Sequence, residues 1–130
     1  MPKTQRLTIP TEAQEQRALV KYLTLHPILK DFFCKNNNEG KRTEIQTHQL
    51  KLLGLRPGVP DLLIFYPNKT QHGLWLEVKR NMQYPPSAKK AKSWLLQEKF
   101  IQRVKTIGYA AEFCYGWQDG KRIIDAYLQA

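Results

Sequence analysis

The 130-residue sequence contains 21 Lys and Arg residues against 11 Asp and Glu residues, so its formal net charge is +10. Its length suits one domain with one hydrophobic core, and the excess of basic residues indicates a polyanionic partner such as nucleic acid. No apolar run reaches the length of a membrane span and no secretory signal opens the chain, so we expect an intracellular protein that does not bind membranes.

The N-terminal part is predicted to be an arm followed by a helix. Residues 1–10 are polar and bounded by prolines, which favours a flexible arm ahead of a single domain over residues 11–130. Thr11 can cap the first helix, which we expect to end before His26-Pro27 because a residue preceding proline avoids helical angles. Glu12 and Glu15 fall in the first turn, where acids complement the helix dipole.

A short apolar piece and a polar turn come next. Phe32-Phe33-Cys34 is short enough to be either an edge strand or the end of a helix. In the turn, Asn38, Lys41 and Arg42 either contact a phosphate backbone or form a solvated loop, and both interpretations fit an Asn- and Gly-rich basic segment.

A second helix is predicted from Thr43 to Leu53, with Gly54 as its C-terminal stop. We expect its apolar face to pack inward, which leaves two basic side chains beside the segment that follows. The inward residues are Leu50, Leu53 and Leu55, and the basic residues are Lys51 and Arg56.

Two apolar runs separated by a polar turn lie between Pro60 and Arg80 and predict a pair of adjacent strands. Asp61 stands at the mouth of the first run. Glu77 and Lys79 lie two residues apart in the second, so their side chains point to the same face. Gly58, just before this region, either brings the backbone close to a ligand or simply forms the turn.

Two carboxylates and an amine on one face of a buried sheet predict a metal site. Asp61 and Glu77 would repel each other unless a cation lay between them, and Mg²⁺ prefers oxygen ligands. Lys79 beside such a site can orient water or stabilise a phosphate oxygen, as phosphodiester hydrolysis requires. The alternative is a surface Asp with an ordinary Glu/Lys ion pair.

After Arg80 the chain carries a basic stretch over residues 81–92, which includes Lys89, Lys90 and Lys92. Together with Tyr84 and Trp94, this stretch either grips phosphates and stacks on bases or is a solvated loop anchored by one tryptophan.

The remaining elements are a helix from Gln97 to Gly108, a strand over residues 109–115 and a closing helix from Gln118 to Leu128. The order of elements predicts an α/β domain with a mixed central sheet flanked by helices. Cys34 and Cys114 form no metal-binding motif, and we expect two buried, unpaired thiols; the three histidines show no ligand spacing.

The chain resembles the VRR-NUC domain, a branch of the PD-(D/E)XK nuclease superfamily, in its small stand-alone form. The resemblance covers most of the chain and rests on motifs that occur in a fixed order. They are Thr11-Glu12-Ala13-Gln14-Glu15-Gln16, Asn38-Glu39-Gly40-Lys41-Arg42, Gly58-Val59-Pro60-Asp61-Leu62, Leu76-Glu77-Val78-Lys79-Arg80, and Gln97 with Phe100, Ile101 and Gly108. The segment after Arg80 departs from the family pattern, because it is longer and Trp94-Leu95-Leu96 precedes Gln97.

The resemblance implies a restriction-endonuclease-like core and a divalent-metal-dependent DNA endonuclease that uses Mg²⁺ or Mn²⁺. It implies that the metal is bound by Asp61, Glu77 and the main-chain carbonyl of Val78, with Glu12, or Glu15 in reserve, completing the acidic cluster. Lys79 would activate water and Gln97 would support it. From the charge pattern we expect Asn38 and the basic residues Lys41, Arg42, Arg56, Arg80, Lys89, Lys90 and Lys92 to contact DNA.

The same resemblance implies a homodimer that acts on branched or Holliday-junction-like DNA in the cytoplasm of a bacterial host. Two other functions fit the residues. One is a non-catalytic nucleic-acid-binding module whose acids are structural, and the other is a nuclease that acts on RNA.

Overall fold

The computed structural model describes residues 8–36 and 42–130. Within them, helices and strands follow one another in the order α1, β1, α2, β2, β3, α3, β4, α4. Their bounds are Glu12–Leu25 for α1, Phe33–Lys35 for β1, Glu44–Leu52 for α2, Leu62–Ile64 for β2, Leu74–Lys79 for β3, Lys92–Lys105 for α3, Ala110–Tyr115 for β4 and Trp117–Gln129 for α4.

The strands form one mixed sheet in the order β1-β2-β3-β4. β2 pairs antiparallel with both β1 and β3, and β4 joins β3 in parallel, after the crossover through α3. The predicted pair of adjacent strands is therefore a hairpin with Leu62 opposite Leu76. The predicted α/β architecture with a mixed sheet is confirmed, and the segment near Phe32 becomes the edge strand β1.

Helices cover both faces of the sheet. α1 and α4 pack on one face, where Leu19, Ile124 and Cys114 belong to the larger core cluster. α3 covers the other face through Ile101 and Val104, which pack on Ala111 of β4. Because β3 lies between these two layers, even its charged side chains are removed from water.

Local capping explains where α1 and α2 begin. Thr11 and Thr43 each accept a hydrogen bond from the backbone N–H three residues on, and Gln14 and Gln46 return the bond to the cap residue. Such capping boxes satisfy helix N–H groups that have no partner within the helix.

Several predictions about individual elements are wrong. α2 buries none of its residues, and Leu53, expected in the core, is 85% exposed, while Leu50 and Leu55 are half-buried. The start of α3, which the sequence left open ahead of Gln97, is at Lys92. Of the two thiols expected to be buried, Cys34 is exposed and only Cys114 is buried; both are free.

Across residues 8–36 and 42–130 no helix is both long and apolar enough to cross a membrane.

Candidate active site

The hairpin register brings two carboxylates together at one end of the sheet. Because Leu62 lies opposite Leu76, the preceding Asp61 lies opposite Glu77. Asp61 Oδ2 accepts a hydrogen bond of 2.8 Å from the N–H of Val78, and its backbone carbonyl accepts one of 2.9 Å from the N–H of Asn36. These bonds tie Asp61 to the strands on either side of β2.

The two carboxylates are close enough to share a hydrogen bond, which requires a proton between them when no cation is present. Burial, and after it the charge of Asp61, raises the pKa of Glu77 to about 9, although the ammonium of Lys79 acts in the opposite direction. Glu77 is 5% exposed. A buried carboxylate beside another acid is the arrangement that a bound cation stabilises.

Lys79 lies on the same face of β3 as Glu77 and is also buried. Its Nζ donates a hydrogen bond of 2.8 Å to Gln97 Oε1 and lies 3.8 Å from Glu77 Oε1. Gln97, on α3, therefore contacts the lysine directly. The sequence placed Glu77 and Lys79 on one face, but only the packing of α3 on the sheet brings Gln97 to them.

The two glutamates of α1 have different surroundings. Glu12 lines the same cleft as Asp61 and Glu77, and its charge contributes to the raised pKa of Glu77. Glu15 is buried, and its Oε2 accepts a hydrogen bond of 2.6 Å from the N–H of Trp117 at the start of α4. Glu12 thus lines the cleft with the carboxylate pair, whereas Glu15 accepts a hydrogen bond at the start of α4; which of the two joins a metal site stays a prediction.

A cleft of about 620 Å³ is lined by Asp61 and Glu77 and also by three basic residues, here called its rim. Arg42, Lys51 of α2 and Lys92 of α3 supply the positive charge. Thr47 and Ser93 also line this cleft and were not predicted. The spacing of Thr47 from Lys51, one helical turn apart on α2, is the sequence signal that would have revealed the first of them.

The other predicted nucleic-acid contacts are placed differently. Arg56, Lys89 and Lys90 are exposed but do not line the cleft. The Arg80 guanidinium donates hydrogen bonds to the backbone carbonyls of Ile9 and Pro10, at 2.8 and 3.1 Å, so it binds the N-terminal segment of its own chain. Asn38 and Lys41 lie outside the described residues.

The turn before Asp61 approaches a helix. Gly58 has a φ of +84°, and a Cβ atom at this position would lie 2.6 Å from the backbone carbonyl carbon and oxygen of Leu96. The close approach that the sequence suggested is therefore to α3, and it closes one wall of the cleft.

Tyr84 and Trp94 form part of the core packing. The Trp94 ring is stacked on Phe113 at a centroid distance of 5.1 Å with an interplanar angle of 15°, and Tyr84 packs against it at 5.1 Å. Trp94 is 5% exposed. Trp94 is therefore buried against its neighbours and anchors this segment, while phosphate contacts by Lys89, Lys90 and Lys92 stay a prediction.

The donor set fits a hard divalent cation. Over residues 8–36 and 42–130, no three His, Cys, Asp or Glu side chains form a group that could hold a metal ion by themselves. Mg²⁺ commonly takes one or two protein carboxylates and keeps several waters, so the Asp61–Glu77 pair supplies a donor set of the kind this ion uses. The N–H of Val78 donates a hydrogen bond to Asp61 Oδ2. The carbonyl of Val78, which the sequence suggested as a further ligand, belongs to β3 between Glu77 and Lys79.

Comparison with known proteins gives the fold. No family model matches the chain, and no curated protein matches it. A solved structure described as a "VRR_NUC domain protein" is similar over 95% of this chain and 92% of its own, with a TM-score of 0.76 and 20% sequence identity. The chain therefore has the VRR-NUC fold, as the sequence motifs predicted.

Proposed function

We propose that this protein is a divalent-metal-dependent nuclease that hydrolyses phosphodiester bonds of DNA. The observation that carries the proposal is the convergence of Asp61, Glu77 and Lys79 at one end of the sheet, where Asp61 and Glu77 line a cleft together with basic residues and Lys79 lies directly behind Glu77 at 3.8 Å. The VRR-NUC fold supports the same conclusion, because a solved structure with this fold carries the description "VRR_NUC domain protein", which names a nuclease domain.

Asp61 and Glu77 are the proposed ligands of Mg²⁺ or Mn²⁺, with Glu12 and the main-chain carbonyl of Val78 as further ligands. When bound, the ion would polarise the phosphoryl group and lower the pKa of a coordinated water. Asp61 is held in place by the N–H of Val78, so one of its oxygens keeps a fixed orientation.

Lys79 acts as the cation that orients the attacking water and stabilises charge on the phosphoryl oxygens. Its hydrogen bond to Gln97 holds the ammonium 3.8 Å from Glu77 Oε1, so Gln97, which also lines the cleft, supports the lysine. Arg42, Lys51 and Lys92 at the rim contact the phosphate backbone and supply affinity that does not depend on sequence.

The finer part of the proposal concerns the DNA and the assembly. We propose a homodimer that acts on branched or junction DNA, since a two-fold dimer presents two equivalent sites to a substrate with two-fold pseudo-symmetry. Apolar side chains exposed on α2, Ile45 and Leu52, give the surface the character of a protein–protein contact.

One panel of substrates tests the activity. The protein is incubated with supercoiled plasmid, linear duplex, a four-way junction and RNA, each with Mg²⁺, with Mn²⁺ or with EDTA. We expect cleavage of DNA in both metals, fastest on the junction, and none in EDTA. An Asp61→Asn variant purified in parallel controls for a contaminating nuclease.

Other results of the same panel distinguish the alternatives. Binding of DNA without cleavage in any metal would identify a non-catalytic binding module. Cleavage of RNA but not of DNA would retain the chemistry and change the substrate. Equal cleavage by the parent and by Asp61→Asn would refute the proposed site.

A further inference from the structure

The ammonium group of Lys79 has both oxygen atoms and aromatic rings as close neighbours. Gln97 Oε1 lies 2.8 Å from Nζ and Glu77 Oε1 lies 3.8 Å away. Nζ lies over the ring of Trp94, 4.3 Å from its centroid, and the centroid of the Phe113 ring is 5.6 Å away. The side chain is only 8% exposed, so little water remains to hydrate the ammonium.

The ring of Trp94 is held rigidly. Its Nε1–H donates a hydrogen bond of 3.1 Å to Glu98 Oε1, one helical turn further along α3. Phe113 stacks on one side of the indole and Tyr84 packs against it at a tilted angle. A ring fixed by three neighbours offers the lysine a surface that does not move, which is what a positioning group requires.

We propose that Trp94 is a positioning residue for Lys79: its indole face binds the ammonium and holds it toward Gln97 and Glu77. A desolvated ammonium over a tryptophan face is attracted by the negative potential of the ring, and tryptophan provides the strongest such interaction among the aromatic residues. The catalytic part of this inference rests on the proposed nuclease function, whereas the binding of the ammonium by the ring does not.

The ring and the oxygens have different functions. A hydrogen bond to Gln97 is directional and fixes where one N–H points, but a single bond leaves the end of a four-carbon chain free to pivot. The ring resists this pivoting without accepting a further hydrogen bond, so the remaining N–H groups stay available to Glu77, which lines the cleft. Trp94 thus restricts where the charge lies without occupying its donors.

A double-mutant cycle on stability tests the interaction without any substrate. The four proteins are the parent, Trp94→Leu, Lys79→Met and the double variant, unfolded by urea in EDTA. Removing the ring also removes packing, but that loss is common to both lysine backgrounds and cancels in the cycle. We expect Trp94→Leu to raise the unfolding equilibrium constant about tenfold more in the parent than in the Lys79→Met background. Equal effects in the two backgrounds would overturn the proposal.

Should Trp94→Leu not fold, fluorinated tryptophans at position 94 provide the same test. Each fluorine weakens the negative potential of the ring face with little change in its shape, so stability should fall stepwise with the number of fluorines. The decline should vanish in the Lys79→Met background. A series that is flat in both backgrounds would overturn the proposal in the same way.

Cleavage kinetics test the catalytic part. We expect Trp94→Leu to lower kcat about tenfold with little change in KM, because the ring acts on the group that stabilises the transition state. Trp94→Phe keeps an aromatic face and should retain most of the activity. A KM effect with unchanged kcat would assign the ring to DNA binding instead. If the parent cuts nothing, the nuclease function fails, while the stability cycle still decides whether the ring binds the lysine.

Discussion

The Lys79 side chain is buried, with only 8% of its surface exposed. We therefore expect a substitution at Lys79 to affect the chemistry of the site more than the binding of DNA. The rim residues Arg42, Lys51 and Lys92 line the cleft, and Lys79 does not. The proposed function assigns DNA binding and chemistry to different residues, so single substitutions should separate them.

Lys79→Ala should lower the cleavage rate about 100-fold or more while leaving DNA affinity within a factor of two or three, because it removes charge stabilisation at the reacting phosphate. Single-turnover cleavage and fluorescence anisotropy measure the two quantities. Lys92→Ala is the matched control, and it should weaken binding more than it slows chemistry. Cutting by Lys79→Ala at the parental rate, at matched metal, would disprove the assigned role.

Glu77 makes the metal-free protein sensitive to pH. Its pKa is raised from 4.5 to about 9 by burial and by Asp61, so the folded protein favours the protonated form. The stability that this proton contributes is therefore complete below pH 4.5 and is lost as the pH rises through about 9. A bound cation takes the place of the proton, so metal should restore stability at high pH.

In EDTA, Glu77→Gln should melt at the same temperature as the parent near pH 4.5 and about 3–6 °C higher at pH 9, because glutamine remains neutral. Thermal melts across this pH range measure the difference. Mn²⁺ should raise the melting temperature of the parent at pH 8 and leave that of Glu77→Gln nearly unchanged. A difference between the two proteins that does not vary with pH would contradict the buried, protonated carboxyl.

At the scale of elements, α1 links the site to the rest of the fold. Its first turn carries Glu12 toward the carboxylate pair and Glu15 toward the N-terminus of α4. The two side chains differ by less than one helical turn, yet one is exposed and the other is buried. Substitution of Glu12 should therefore affect activity, and substitution of Glu15 should affect stability.

Glu12→Ala should change the melting temperature by less than 2 °C but lower metal-dependent cleavage about tenfold, whereas Glu15→Ala should lower the melting temperature by about 4–10 °C. The stability loss follows because the N–H of Trp117 would be buried without its acceptor. Calorimetry measures the melting temperatures of the two variants, and an assay at 20 °C measures their cleavage rates. The roles are reversed if Glu15→Ala stays stable and loses activity.

Local signals explain which elements the sequence predicted well. Capping by Thr11 and Thr43, the alternation of side chains along β3 and the polar turn between two apolar runs depend on neighbouring residues alone. These patterns were sufficient to predict the hairpin, the approach of Asp61 to Glu77 and the starts of the first two helices.

The predictions that failed depend on contacts between distant parts of the chain. Leu53 has the residue type of a core position, but among residues 8–36 and 42–130 no helix or strand covers it, and it is exposed. The start of α3 depends on Trp94 packing against Phe113 of β4, and the burial of Glu15 depends on where α4 begins. Spacing in sequence shows which residues share a face but not what covers that face.

At the scale of the whole molecule, the prediction to test is that the protein forms a homodimer. We expect sedimentation equilibrium at micromolar concentration to give twice the chain mass of 15.2 kDa. Mass photometry of the junction complex should show two chains per four-way junction. A monomer that persists at micromolar concentration and also on the junction would exclude two-site cutting by a dimer.

The contrast between the two thiols offers a way to observe such an assembly. Cys34 is exposed on the edge strand β1, whereas Cys114 is buried and its thiol pKa is raised by burial. A maleimide spin label should thus react at one position per chain without any engineered cysteine. Pulsed dipolar spectroscopy on the labelled protein would then report the spacing between protomers, and any change in it when a junction binds.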